Sequence, residues 1–388
     1  MRLLLPRLPS RAVAVLTVVA LVLVCQVRVA EAQLVLPGTQ VRVLLAYTGS
    51  VVVGADGAHH GVVDGAQHFA TPLALTWPLA AVDGRLVVDG VPIGSSLHIA
   101  MDDGLLTYDG RQYRGSLRFT ALGDQLEVVN VLDIESYLRG VVPAEMSASW
   151  QMEALKAQAV AARSYTMTSL DPTARYDLCA TVDCQVYRGV EAEHARTDAA
   201  ILATAGVVVT YQGETAHTYY HADSGGVVAS SGEVWGTALP YLVTLADAPA
   251  STPHRSWQTR LDGAAVGAAL SAAGLPVGTV TGLRVVRLSE SGRVAELEVT
   301  GTARTRVLSG IVLREQARGW GLKSMRFRVQ GGLVVSGDGW GHGVGMSQYG
   351  ARALANAGYD YGRILAFYYP TTNLTRFVAG ATLSQRAP

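Results

Sequence analysis

Between residues 33 and 130 the chain alternates short runs of Val, Leu and Ile with breaks rich in Gly and Asp. The runs Gln40 to Leu45, Arg85 to Val88, Gly104 to Tyr108, Ser116 to Thr120 and Gln125 to Val131 stand out. They are separated by pairs such as Asp83-Gly84, Asp89-Gly90 and Asp109-Gly110. Asp-Gly between apolar runs is a hairpin signal, so the stretch is expected to be β-rich with antiparallel pairs. Past Asp133 the pattern turns helical. Asp133 can cap a short helix from Ile134 to Arg139, and Pro143 disfavours helix at Val142, which predicts a turn holding Glu145. Ser147 or Ser149 would then cap a second helix. From Met152 to Thr168 there is no Gly or Pro, and Ala154, Ala157, Ala159, Ala161 and Ala162 favour a closely packed helix.

Further along, Thr197 to Ala205 reads as a helix closed by Gly206, with Val207 to Tyr211 and Ala216 to His221 as strands. Gly263 to Ala273, Leu308 to Arg314, Ser347 to Ala357 and Tyr361 to Tyr369 read as helices, and Leu283 to Leu288 and Val294 to Val299 as strands. The fold class is therefore α+β, a β-rich N-terminal region followed by a mixed α/β core. The expected divisions are a leader at 1–32, the β-rich region at 33–105, the core at 106–375 and a tail at 376–388. Neither an internal repeat nor a low-complexity block interrupts residues 33–388.

Composition narrows the class. With 388 residues, 49% hydrophobic and 16% charged, the chain can bury a substantial core and is not disordered. Arg2, Arg7 and Arg11 precede an apolar run from Ala12 to Cys25 and then Ala30-Glu31-Ala32, the pattern of an export signal cleaved near Ala32-Gln33. At 14 residues, the run is shorter than the about 20 needed to cross a bilayer, so no stable membrane span is expected after cleavage. The protein is expected to be secreted or held at the cell envelope. Without those residues, 27 basic side chains face 30 acidic ones, and nothing points to nucleic acid.

Candidate chemistry gathers in separated motifs. Glu145 lies in Gly140-Val141-Val142-Pro143-Ala144-Glu145-Met146, just ahead of a helix in which Lys156 and Arg163 are two turns apart and share a face. Cys179 and Cys184 flank a short loop before Gln185-Val186-Tyr187. Two cysteines are half of a structural zinc site, and in an exported protein they equally suit a disulfide; both readings stand, and no cofactor is assigned. Ser224-Gly225-Gly226 can bring main-chain amides close to a ligand, and Trp235 can stack on a sugar or fill a core. The run from Gly337 to Arg352 carries His342, Ser347 and Gln348 among five glycines before Met346. It lacks the Lys-Ser/Thr of a phosphate-binding loop. His59, His60, His68 and His98 show no metal-ligand spacing and read as surface or core histidines.

Ser136 to Met146, Glu153 to Tyr165, Gln-Val-Tyr, Ser-Gly-Gly, Val234-Trp235-Gly236 and Gly341-His342-Gly343-Val344-Gly345-Met346-Ser347-Gln348-Tyr349-Gly350-Ala351 together resemble the signatures of the SpoIID/LytB family. The likeness covers about Tyr113 to Pro370. Tyr368-Tyr369-Pro370-Thr371-Thr372 departs from the family's usual Tyr-Tyr-Pro-Gly-Thr. The resemblance implies work on peptidoglycan glycan strands, either as a lytic transglycosylase or as an enhancer of a cell-wall amidase. It implies Glu145 as the single acid/base, its pKa raised by burial near Met146 and Trp150. Lys156, Arg163, Ser224, Gly225, Gly226, Trp235, His342, Ser347 and Gln348 are then the implied glycan-binding set. A hydrolase would need a second carboxylate, for which Asp133, Glu135 and Asp183 are the candidates.

Overall fold

A computed structural model of the protein describes residues 39–376, except 73 and 102. The expected leader and all of the tail but Arg376 lie outside the described residues. The described residues form two compact units, those up to 145 with 169–198, and 146–168 with those from 199 onward. This division differs from the sequence boundary at residue 105, because strand pairing runs across it: Leu106–Tyr108 pairs with Ser50–Ala55.

The first unit is β-rich, as the alternation implies. One sheet runs in the order Leu178–Cys179, Gln40–Thr48, Gln125–Asp133, Ser116–Leu122, Ser96–Met101, His59–Val63, Gln67–Thr71. The other runs Arg111–Tyr113, Leu106–Tyr108, Ser50–Ala55, Leu75–Val82, Arg85–Val88, Val91–Gly94. Alternate residues turn inward, so Val41, Val43, Leu79, Leu86, Ile99, Leu117, Phe119, Leu126 and Val128 are fully buried. Asp83-Gly84, Asp89-Gly90 and Asp109-Gly110 all have positive φ at both positions, the backbone that a two-residue primed turn requires. His59 is buried and stacks on Trp77, with ring centroids 5.6 Å apart, and the His98 ring bonds the Ser116 hydroxyl at 2.7 Å.

The sheet leads into helix α1, Ile134–Glu145, whose start is capped by Asp133 accepting the Ser136 amide at 3.0 Å. Here the structure corrects the sequence reading. The helix does not break before Pro143; it continues through Pro143 and ends at Glu145. Proline removes one amide and crowds the preceding turn, but Val141 and Val142 are fully buried and hold the segment in place. Tertiary packing thus outweighs the local bias.

In the second unit helix α2, Met152–Thr168, is the central element. Its alanines allow close approach from all sides, and eleven of its residues are buried. Ser147 and Ser149 bond each other at 2.9 Å and leave the first turn of α2 to the Gln151 carbonyl, so neither is the expected cap. Helix α3, Ala195–Ala203, lies where the chain passes from one unit to the other, and α4 is the short Ser231–Trp235. A second apolar core is formed by α5, Gly263–Ala272, α6, Gly310–Gly319, and the strands around Val294–Gly301. The helix expected from Leu308 is a strand as far as Ser309, and helical only from Gly310. Only Tyr220–His221 of the expected strand from Ala216 is paired as one. Helices α7, Gln348–Asn356, and α8, Tyr361–Tyr368, pack with α2 around Val160, Ala161, Ile364 and Leu365.

Candidate functional site

In the first unit, Glu145 is half-buried at the end of α1, and its Oε1 accepts the main-chain N–H of Val186 at 3.0 Å. The Gln-Val-Tyr segment that supplies this donor is fixed from both sides. Tyr187 is buried, donates its hydroxyl to Asn130 Oδ1 at 2.7 Å, and stands 5.1 Å from the ring of Tyr137. Tyr137 in turn donates to Gln185 Oε1 at 3.2 Å. Gly140 is required here: a Cβ would lie 2.5 Å from the Tyr187 ring. Cys179 and Cys184 form a disulfide whose Cα atoms are 5.4 Å apart, closing the loop just before Gln185. No group of three or more metal-ligating side chains occurs among the described residues. Pro143 and Ala144, the residues before Glu145, line a pocket of about 390 Å³ with Arg111, Arg188, Glu191 and Ala192.

The remaining candidates belong to the second unit, and their settings differ. Lys156 is partly exposed, paired with Glu153 at 2.7 Å and lying over the Tyr361 ring. Gly226 is exposed, Gly225 half-buried, and both have positive φ. Trp235 is half-buried against Tyr219, with ring centroids 4.4 Å apart. Arg163 lies two turns from Lys156 on α2 but does not share its exposure. It is 2% exposed and donates to the carbonyls of Val207 at 3.0 Å and Ile201 at 3.5 Å, because α2 is surrounded and has no solvent face at that turn.

Ser224, Ser347 and Gln348 are likewise buried. Ser224 donates to Asp247 Oδ2 at 2.5 Å and accepts the Gly226 amide, while Ser347 caps α7 by accepting the Gly350 amide at 3.2 Å. Gln348 Nε2 reaches Gln158 at 3.4 Å. As they stand, these side chains hold the motifs in shape and do not face solvent.

His342 accepts the Val344 amide at Nδ1, 3.0 Å away, which assigns the proton to Nε2, donated to the Tyr220 carbonyl at 2.9 Å. Burial pushes its pKa down to about 4, so the ring is neutral near pH 7. Beneath the glycines lies Arg293, buried and bonded to the Val227 and Ser224 carbonyls, each at 2.9 Å. A Cβ on Gly343 would collide with its guanidinium. No motif or spacing marked Arg293 or Asp247, since each lies far along the chain from the motif it supports. In the second unit, Met146 is buried in the core and Trp150 packs edge-on to Tyr349.

Residues 123–211, from the turn before Gln125 through α1, α2 and Gln-Val-Tyr to the strand ending at Tyr211, match the family model described as Stage II sporulation protein, SpoIID. An uncharacterized protein of Brachyspira hyodysenteriae is 34% identical over 269 residues, covering 68% of this chain and 72% of that protein. The chain belongs to the SpoIID family. Among its SpoIID relatives, the Amidase enhancer of Bacillus subtilis is 31% identical over 358 residues, 78% of this chain but only half of that protein's length. The Stage II sporulation protein D of Bacillus subtilis is 28% identical over 281 residues, 64% of this chain and 76% of the relative. No helix among the described residues of this SpoIID member is long and apolar enough to cross a membrane.

Proposed function

We propose that the protein is an exported or envelope-held lytic transglycosylase, cleaving peptidoglycan glycan between N-acetylmuramic acid and N-acetylglucosamine. The observation that carries this reading is the half-buried carboxylate of Glu145, held by the Val186 amide at the end of α1 and preceded by two pocket-lining residues. Membership of the SpoIID family supports it.

One carboxyl group suffices for the reaction. Protonated Glu145 gives its proton to the glycosidic oxygen as the bond to C1 breaks. The resulting carboxylate takes the proton of the sugar's own 6-hydroxyl as that oxygen bonds to C1, closing a 1,6-anhydro ring without water. The Val186 N–H holds the carboxylate in one orientation through both steps, so little rearrangement is needed between them. Within the second unit taken by itself, Lys156, Gly225, Gly226 and Trp235 are the candidates for binding glycan.

The name of the Bacillus subtilis relative favours a second reading, that the protein binds the wall and stimulates an amidase without turnover. The test is to incubate the full chain and a Glu145→Gln variant with intact and peptide-free peptidoglycan, and to identify soluble products by mass spectrometry. Products ending in 1,6-anhydro-muramic acid, lost in the variant, are expected. Reducing ends would mean a hydrolase with a second carboxylate. No products with retained wall binding would favour the enhancer.

A further inference from the structure

A second pocket, of about 250 Å³, lies wholly within the second unit, between α4, the hairpin around Ser289 and α6. Its ionisable lining is Glu233, Arg287, Arg293, Arg314 and His342. Most of that charge is already answered. Glu233 accepts from the Ser289 hydroxyl at 3.0 Å, the Ser291 amide at 3.3 Å and the Ser291 hydroxyl, and its charge faces that of buried Arg293. Arg287 pairs with Glu296 at 2.8 Å. His342 has both ring nitrogens bonded to main chain.

Arg314 is different. It is half-buried on the first turns of α6 and makes no hydrogen bond or ion pair among the described residues. Burial lowers its pKa more than the opposite charge of the neighbouring, exposed Glu315 raises it, and Glu315 does not line the pocket. A half-buried guanidinium with no hydrogen-bonded or ion-paired partner in a polar pocket is complementary to a singly charged anion, and its fork matches a carboxylate. The volume exceeds that of a bare carboxylate, since a water takes about 30 Å³, so the group carrying the acid can enter as well.

We propose that this pocket binds a carboxylate-bearing group of peptidoglycan, with Arg314 pairing with the acid. The cell-wall source rests on the reading given under Proposed function; the carboxylate chemistry does not. Two wall carboxylates qualify: the lactyl acid of a muramic acid residue without its stem peptide, and the acids of the stem peptide itself. Both place a carboxylate on a short, flexible arm.

The full chain is titrated by calorimetry with N-acetylmuramic acid, N-acetylglucosamine and the dipeptide L-alanyl-D-glutamate, none of which has a glycosidic bond to cleave. Binding of N-acetylmuramic acid at least tenfold tighter than N-acetylglucosamine, weakened by salt, assigns the lactyl carboxylate. Tighter binding of the dipeptide assigns the stem peptide. Arg314→Gln is expected to weaken the bound acid at least tenfold, with Arg314→Lys losing less. Backbone amide shifts in the unmutated protein, expected at Glu233, Gly310 and Arg314 on adding the acid, keep the test valid if a variant folds poorly. Equal binding of acid and N-acetylglucosamine, unchanged affinity in a folded Arg314→Gln variant, or shifts confined elsewhere would overturn the proposal. Absent acid binding in a chain that still cleaves glycan removes this inference alone; Arg314-dependent binding without cleavage removes only the enzymatic reading.

Discussion

Replacing Gly140 by Ala sets two effects of opposite sign against each other inside α1. Alanine favours helix over glycine by about 1 kcal/mol, and at an open site the substitution would stabilise. At Gly140 the new Cβ would lie 2.5 and 2.8 Å from two carbons of the Tyr187 ring and 3.1 Å from the Gly189 carbonyl. The ring cannot swing aside cheaply, because its hydroxyl is bonded to Asn130 and it lies against Tyr137 and Tyr113. Gly189 is pinned as well: its φ is 65° and its own Cβ position lies 2.5 Å from the Gln112 carbonyl.

Overpacking of this kind costs about 1–3 kcal/mol, and the rigidity of both neighbours argues for the upper half of that range. The net expectation is a loss of about 1–2 kcal/mol. Because Tyr187 follows Val186, the strain should also loosen the bond to Glu145 Oε1. Urea unfolding followed by far-UV circular dichroism measures the first effect, and hydrogen exchange at the Val186 amide the second. Gly319→Ala, in α6 with nothing near its Cβ position, is the control and should cost nothing. A Gly140→Ala protein as stable as the parent, or one destabilised with Val186 protection unchanged, would refute the coupling.

Arg163→Met removes the donors to the Val207 and Ile201 carbonyls in a buried site, and a loss of about 2–4 kcal/mol is expected in thermal or urea unfolding; an unchanged midpoint would count against the anchor. His342 titrates near 4 in the folded protein against an ordinary 6.5, and buried His221 is shifted in the same direction. Between those values the unfolded chain binds protons that the folded chain refuses, so stability is full above about pH 6.5, falls towards about pH 4 and levels off below. For His342 the ceiling is about 3 kcal/mol, and His342→Asn should flatten the slope of unfolding free energy against pH. Cys184→Ser opens a loop of sequence separation 5 and is expected to cost about 2 kcal/mol, read by urea unfolding under non-reducing conditions; an equal loss when the parent is merely treated with a chelator would point to metal in place of the disulfide.

Much of the architecture was legible because it is local. Asp83-Gly84, Asp89-Gly90 and Asp109-Gly110 turn where Asp-Gly predicts, since few residue pairs tolerate positive φ twice in succession. The alanine run of α2 and the strand Val207–Tyr211 followed from propensity and period in the same way. Pro143 misled because a local steric bias was weighed without the buried valines that offset it. Lys156 and Arg163 misled more usefully. Helical spacing correctly put them on one side of α2, yet spacing carries no information about what covers that side.

The amino-acid sequence by itself determined the β-rich and helical stretches, the hairpin turns, the family and the short list of chemical groups. Only the tertiary structure decided which of those groups face solvent. It buried Arg163, Ser224 and Gln348, gave both nitrogens of His342 to the main chain, and left Arg314 without a hydrogen-bonded or ion-paired partner among the described residues. The physical reason is the range of the forces. Turn preference and helix period act over a few residues, whereas desolvation and hydrogen-bond satisfaction depend on segments far apart in the chain, as Glu145 and Val186 are.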